Sequence, residues 1–141
     1  MNISDNFSYK EFEHSDTAIK LGIENKIKDD LIRENIISLV KNILQPLRDH
    51  LGKAVKINSG YRCLKLNKAV GGKPTSQHVM GQAADIVVDG ISPYEVAKTI
   101  IDLELPFDQL GLYDNFIHVS YSYKNRRTIF YDKKYNDKRI M

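Results

Sequence analysis

The chain has 141 residues, enough for one compact domain with its own core and too few for two. Hydrophobic residues at 42% and charged residues at 28% are ordinary for a globular protein, and no stretch has the length and apolarity of a membrane span. The formal charge of +3 is too mild to argue for a nucleic-acid partner, although it suits a polyanionic surface.

Ser8-Tyr9-Lys10-Glu11 reads as a capping box opening a short helix, and a second short helix is expected from Asp16 to Leu21, stopped by Gly22. The strongest periodic segment runs from about Asp29 to Leu51. There Leu31, Ile32, Ile36, Leu39, Val40, Ile43, Leu44, Leu47 and Leu51 recur at steps of three and four and build one broad apolar face. Pro46 lies inside it and is expected to kink or interrupt the helix near Leu44. Val55–Ser59 alternates like a half-buried strand, and a short helix is expected over Leu64 to Val70. Ala83 to Val88 is the next strand. Ser92-Pro93-Tyr94-Glu95 offers a cap, a first-turn proline and a capping-box glutamate, and starts a helix running to about Leu103. Phe107 to Leu112, Phe116 to Tyr121 and Thr128 to Tyr131 read as strands. No repeat or linker divides the chain. Helices first, then mostly strands with one intervening helix, suggest an α+β fold in a single domain over 1–141.

Cys63 is the only cysteine, so neither an internal disulfide nor a thiolate zinc cluster is available. Its neighbours Arg62 and Leu64 supply no general base, and it reads as an inert thiol. The start of the chain, Met1 to Phe7, lacks the basic and apolar regions of a secretory signal. The expectation is a protein made in a cytoplasm, whose action elsewhere needs release or delivery by a partner. Many basic residues crowd between Lys124 and Arg139, together with Tyr123, Phe130, Tyr131 and Tyr135. A solvated charged face around a last strand is the commoner meaning of such a tail; a polyanion-binding arm is the rarer one.

Two segments carry chemistry: Ser76-Gln77-His78 through Gly81-Gln82-Ala83-Ala84-Asp85, and Asn115-Phe116-Ile117-His118-Val119-Ser120. Two imidazoles and a carboxylate are the ligand set of a hydrolytic zinc site, with a fourth position left for water. Strand alternation puts Ile117, Val119 and Tyr121 on one face and His118 on the other. Asp85 enters the apolar run Ala-Ala-Asp-Ile-Val-Val, where an ionised carboxylate is costly unless paired, hydrogen-bonded or bound to metal. In Asn58-Ser59-Gly60-Tyr61-Arg62 the arginine follows a strand end and a glycine turn. It is placed either to grip a carboxylate in a bidentate pair or to form a surface salt bridge.

Ser59-Gly60-Tyr61-Arg62, Leu66 to Gly72, Ser76-Gln77-His78 through Asp85, Phe107-Asp108-Gln109 and Ile117-His118-Val119-Ser120 occur in this order, with a similar stretch upstream around Leu44-Gln45-Pro46. Over about residues 7–121 the chain resembles the M15 peptidase family, the D-alanyl-D-alanine carboxypeptidase-like zinc peptidases, and most the small single-domain branch of bacteriophages and bacteria. The resemblance implies the hedgehog/DD-peptidase fold, a small and mainly antiparallel sheet flanked by helices. It implies one zinc ion on His78, Asp85 and His118, and Arg62 anchoring or polarising the substrate, with Tyr61, Ser76 and Gln77 beside it. The implied substrate is a peptidoglycan stem peptide, cut as by a D,D- or L,D-type carboxypeptidase or endopeptidase, including those of phage lysis. A monomer and no nucleic-acid partner are expected. Family enzymes usually carry a glutamate or aspartate shortly before the last histidine as general base. Here Asn115 stands three positions before His118, so Asp114 is taken for that role, with Asp108 as the alternative. If neither carries the proton, the chain reads instead as a zinc-containing, non-catalytic wall- or peptide-binding module.

Overall fold

The computed structural model describes residues 2–140. Two short strands, β1 (Asn2–Ser4) and β2 (Phe7–Ser8), form a small ribbon, and helices α1 (Tyr9–Glu13) and α2 (Asp16–Leu21) follow. The capping box at Ser8 and Glu11 and the stop at Gly22 stand as the sequence indicates. β1 and β2 were not expected, because strands of three and two residues are too short to show a period.

The long apolar segment starts at the Asp29 cap, whose carboxylate accepts from Leu31 N, and forms α3 (Asp30–Leu39). The α-helix is interrupted up to Leu44, as expected from Pro46, but the chain does not leave the helical path. A π-helical turn over Val40–Leu44 precedes α4 (Gln45–Leu51), in which Pro46 occupies the first turn. Pro46 has no N–H and its ring crowds the carbonyl four residues back, and the widened turn absorbs both problems while the helix runs on. Ile36, Leu39, Val40, Ile43, Leu44 and Leu47 are fully buried along this one side.

Strand β3 (Val55–Ser59), helix α5 (Leu64–Ala69), strand β4 (Ala83–Val88), helix α6 (Pro93–Asp102) and strands β5 (Gln109–Leu112), β6 (Ile117–Ser120) and β7 (Thr128–Tyr131) complete the chain. The five strands form one sheet in the order β3-β4-β6-β5-β7. Every pairing is antiparallel except β5 with β7. The fold is α+β, with a mainly antiparallel sheet flanked by helices, as expected. Ala84, Ile86 and Val88 of β4, Ile117 and Val119 of β6, and Leu110 and Leu112 of β5 are buried in the same core as the long helical segment and α6. Asp85 and His118, which alternate with these residues, point to the opposite face. That alternation places two functional side chains outside the core on rigid strands.

The C-terminal stretch is not a free basic-aromatic arm. Tyr135 is buried in the core, Tyr131 and Tyr135 lie with ring centroids 5.4 Å apart, and Arg139 stacks over Tyr131 at 4.3 Å. Of the tail aromatics, Tyr123 is the one left largely exposed. Among the described residues, no helix is long and apolar enough to cross a membrane.

Candidate active site

His78, Asp85 and His118 converge. Each offers one ligand atom, and the three atoms lie within 4.8 Å of one another. Asp85 and His118 are direct cross-strand partners on β4 and β6, so the sheet itself sets their separation. His78 comes from the loop between α5 and β4, whose fit against α3 depends on Gly81. Gly81 has φ +72°, and a Cβ there would stand 2.8 Å from both the Ile32 side chain and the Ile32 carbonyl oxygen. The same loop is tied to the β3 end by Arg62 N donating to His78 O at 3.1 Å, and to α3 by Asn35 Nδ2 donating to Met80 O at 2.9 Å.

Both rings are oriented from behind. His78 Nδ1–H donates to the Gly60 carbonyl at 2.7 Å, which turns its Nε2 toward Asp85. His118 Nε2–H donates to Gln109 Oε1 at 3.2 Å, which turns its Nδ1 toward the same carboxylate. His78 Nε2 then stands 3.3 Å and His118 Nδ1 3.0 Å from Asp85 Oδ1. Donor atoms on a tetrahedral zinc ion, with bonds of about 2.0–2.1 Å, are separated by about 3.3 Å; the two histidine-to-Asp85 distances match this, and the three atoms together lie within 4.8 Å. Outer nitrogens fixed by carbonyl oxygens are the usual second layer of a histidine metal site. Burial pushes the Asp85 carboxyl upward, but the neighbouring His118 and His78 outweigh it and hold the group well below the usual carboxylate range. An anionic ligand is therefore ready on the sheet.

Arg62 lies beside this group, with Nη2 3.8 Å from Asp85 Oδ2. Its Nε donates to Ser59 Oγ and its Nη1 to Asn67 Oδ1, which hold the guanidinium at the rim. Burial lowers its pKa while Asp85 and Tyr113 raise it, and a guanidinium stays charged through such shifts. Ser76 and Gln77 line a cavity of about 340 Å³ next to His118, together with Lys73, Thr75 and Gln109. Gln77 Nε2 donates to Asp108 Oδ2 at 2.8 Å, while its Oε1 is buried without a hydrogen-bond partner.

Two other residues singled out from the sequence stand apart. Tyr61 is only 8% exposed and its ring belongs to the core, so its main contribution is its backbone, which joins Phe12 O and Asn25. Asp114 is exposed in the four-residue connection between β5 and β6, where its Oδ1 accepts from Asn136 N at 2.9 Å. Three paired positions lie between that turn and the far side of His118: Tyr113 opposite Phe116, Leu112 opposite Ile117 and Gly111 opposite His118. Asp108 is buried and locked. Its two oxygens accept from Arg126 N, Nε and Nη2 and from Gln77 Nε2, and these partners hold its carboxyl well below the usual range despite burial.

The residues that sequence reasoning overlooked are Gln109, Tyr113 and Phe130. Tyr113 stacks on Phe116 at 4.3 Å and stands edge-on to Phe130 at 6.3 Å, while Phe130 lies 5.9 Å from the His118 ring. Burial and then Asp85 raise the Tyr113 pKa, so its hydroxyl stays protonated. Gln109 carried a signal, since it follows Asp108 at the start of a strand pointing at His118; Phe130 carried none.

A His-Asp-His group on a sheet face, with His78 buried and Asp85 and His118 partly buried, oriented rings and an arginine at its edge, is a ligand set that could hold a metal ion. A family model for Peptidase M15 matches residues 5–120, most of the chain, and the chain belongs to that family of peptidases. M15 peptidases are typically zinc-dependent, and among the described residues His78, Asp85 and His118 form a group that could hold such an ion. No curated protein matches the chain.

Proposed function

We propose that the protein is a zinc metallopeptidase that hydrolyses peptide bonds in bacterial cell-wall stem peptides, as a D,D- or L,D-type carboxypeptidase or endopeptidase. The observation that carries the reading is the convergence of His78, Asp85 and His118 with Arg62 beside them. A zinc ion on these three ligands would supply Lewis-acid polarisation of the scissile carbonyl and a more acidic water. Arg62 binds a substrate carboxylate or carbonyl at the rim, held at the right angle by Ser59 and Asn67. Ser76 and Gln77 bind the peptide in the polar cavity beside His118. Asp114 is the carboxylate we assign to carry the proton to the leaving amine, a role that requires the turn holding it to move toward Asp85. Hydrolysis of purified cell walls, with and without chelator and beside His78→Ala, tests the reading. Equal activity in all three would overturn it.

A second reading is favoured by one placement. Asp114 is at an exposed turn and Asp108 is locked by Arg126, so the chain has no carboxylate poised beside Asp85 among the described residues. On this reading the protein holds zinc and binds stem peptides without cutting them. Asp114→Asn separates the two: an enzyme loses turnover by about 10²–10⁴-fold, whereas a binding module keeps its affinity.

A further inference from the structure

Residues 121–140 lie outside the family match, yet they supply β7 and one side of the metal centre. One row of paired residues crosses the whole sheet: Ser59, Asp85, His118, Gly111 and Phe130, on β3, β4, β6, β5 and β7 in turn. Directly paired residues share a face, so the row that holds the ligands ends in Phe130. Gly111 is what lets Phe130 reach the site. A Cβ on Gly111 would stand 2.2 Å from Phe130 Cζ, so the ring lies across the bare glycine and arrives 5.9 Å from His118. Tyr113, stacked on Phe116, continues this aromatic wall. The cavity that also borders His118 is unlike it, being lined by Lys73, Thr75, Ser76, Gln77 and Gln109.

We infer that Phe130 is a specificity-determining wall, which restricts the group seated beside the metal centre to a small apolar one such as a methyl. This rests on the metallopeptidase reading and refines its substrate class. The polar cavity takes the peptide backbone and charged end, and the wall takes the side chain nearest the scissile bond. Because the ring fills space above Gly111, its removal opens a slot for a larger side chain without touching a ligand.

The test compares native chain, Phe130→Leu and Phe130→Ala, each zinc-loaded. Calorimetry measures binding of acetohydroxamate and benzohydroxamate, and peptidase assays measure kcat/KM for stem peptides ending in alanine or in leucine. A pocket change of this size shifts selectivity by roughly 10-fold or more. The expected result is a native preference for acetohydroxamate and alanine, shifted at least about 10-fold toward benzohydroxamate and leucine in Phe130→Ala, with zinc affinity within about threefold of native and Phe130→Leu in between. An unchanged ratio, or an equal loss for small and large probes, overturns the inference. Native chain that discriminates the hydroxamates but neither cuts nor binds any stem peptide removes the cell-wall reading and leaves the wall standing.

Discussion

Replacing Asp108 by Asn removes a charge and little volume, so its cost can be worked from the hydrogen bonds. Oδ1 accepts from Arg126 N and Nε, and Oδ2 accepts from Arg126 Nη2 and Gln77 Nε2. An asparagine amide must present its NH₂ to one of these donor pairs. If it faces Arg126 N and Nε, two donors meet a donor. If it faces the other pair, Gln77 can flip and offer Oε1, but Arg126 Nη2 is still repelled and Gln77 Nε2 is left in the buried position Oε1 held. Hydrogen bonds to a buried charge contribute about 1.5–3 kcal/mol each, and the exposure of Arg126 puts the net loss at the low end, about 2 kcal/mol. With an unfolding entropy of about 2.1 cal/mol/K per residue, 141 residues lose about 7 °C in Tm. The sign of the pH effect follows from the depressed native pKa. Asp108 contributes its stability above the unfolded carboxyl value near 3.9, and that contribution fades as pH falls through the lower native one. Urea unfolding in chelator at pH 7 and pH 3 should show a gap between native and Asp108→Asn that narrows in acid. A gap under about 0.5 kcal/mol at pH 7, or one that widens in acid, would refute the reasoning.

Gln109→Leu deletes the acceptor behind His118 and should weaken zinc binding about 10–100-fold by calorimetry, against no change if the contact is incidental. Arg62→Lys loses the planar fork; kcat/KM should drop at least about 10-fold while zinc affinity stays within about threefold, and a fall in zinc affinity alone would make Arg62 a support rather than a substrate contact. Zinc affinity should fall on acidification, because both imidazoles must be neutral to bind, and a flat profile would argue against the ligand set. Asn25 is buried, donates to Glu13 O and Tyr61 O and accepts from Cys63 N. Asn25→Ala should therefore cost about 2 kcal/mol in urea unfolding, and a neutral result would mean water replaces these bonds.

Much of the site was legible because the strands alternate with period two. Asp85 within an apolar run and His118 between Ile117 and Val119 could only leave the core by facing the other side of the sheet, and they do. The caps at Ser8 and Ser92 are local and stand as the sequence indicates. What depends on distant pairing was not legible. Phe130 reaches His118 through a parallel pairing of β7 with β5, and nothing in the residues near Phe130 encodes that register. Tyr61 differs from its neighbour: Arg62 faces the metal-ligand group, whereas Tyr61 is largely buried in the core and borders a cavity with Arg62. Pro46 shows that a proline need not end a helix when a π-turn can absorb the missing N–H.

The central claim is that His78, Asp85 and His118 hold one metal ion on the open face of the sheet. Anomalous diffraction at the zinc edge, on crystals of native chain and of Asp85→Ala grown with equimolar zinc, tests it most directly. The account predicts one zinc peak per chain with these three side chains as its protein ligands, lost in Asp85→Ala. A native crystal with no peak there, or with its zinc on other residues, would contradict it.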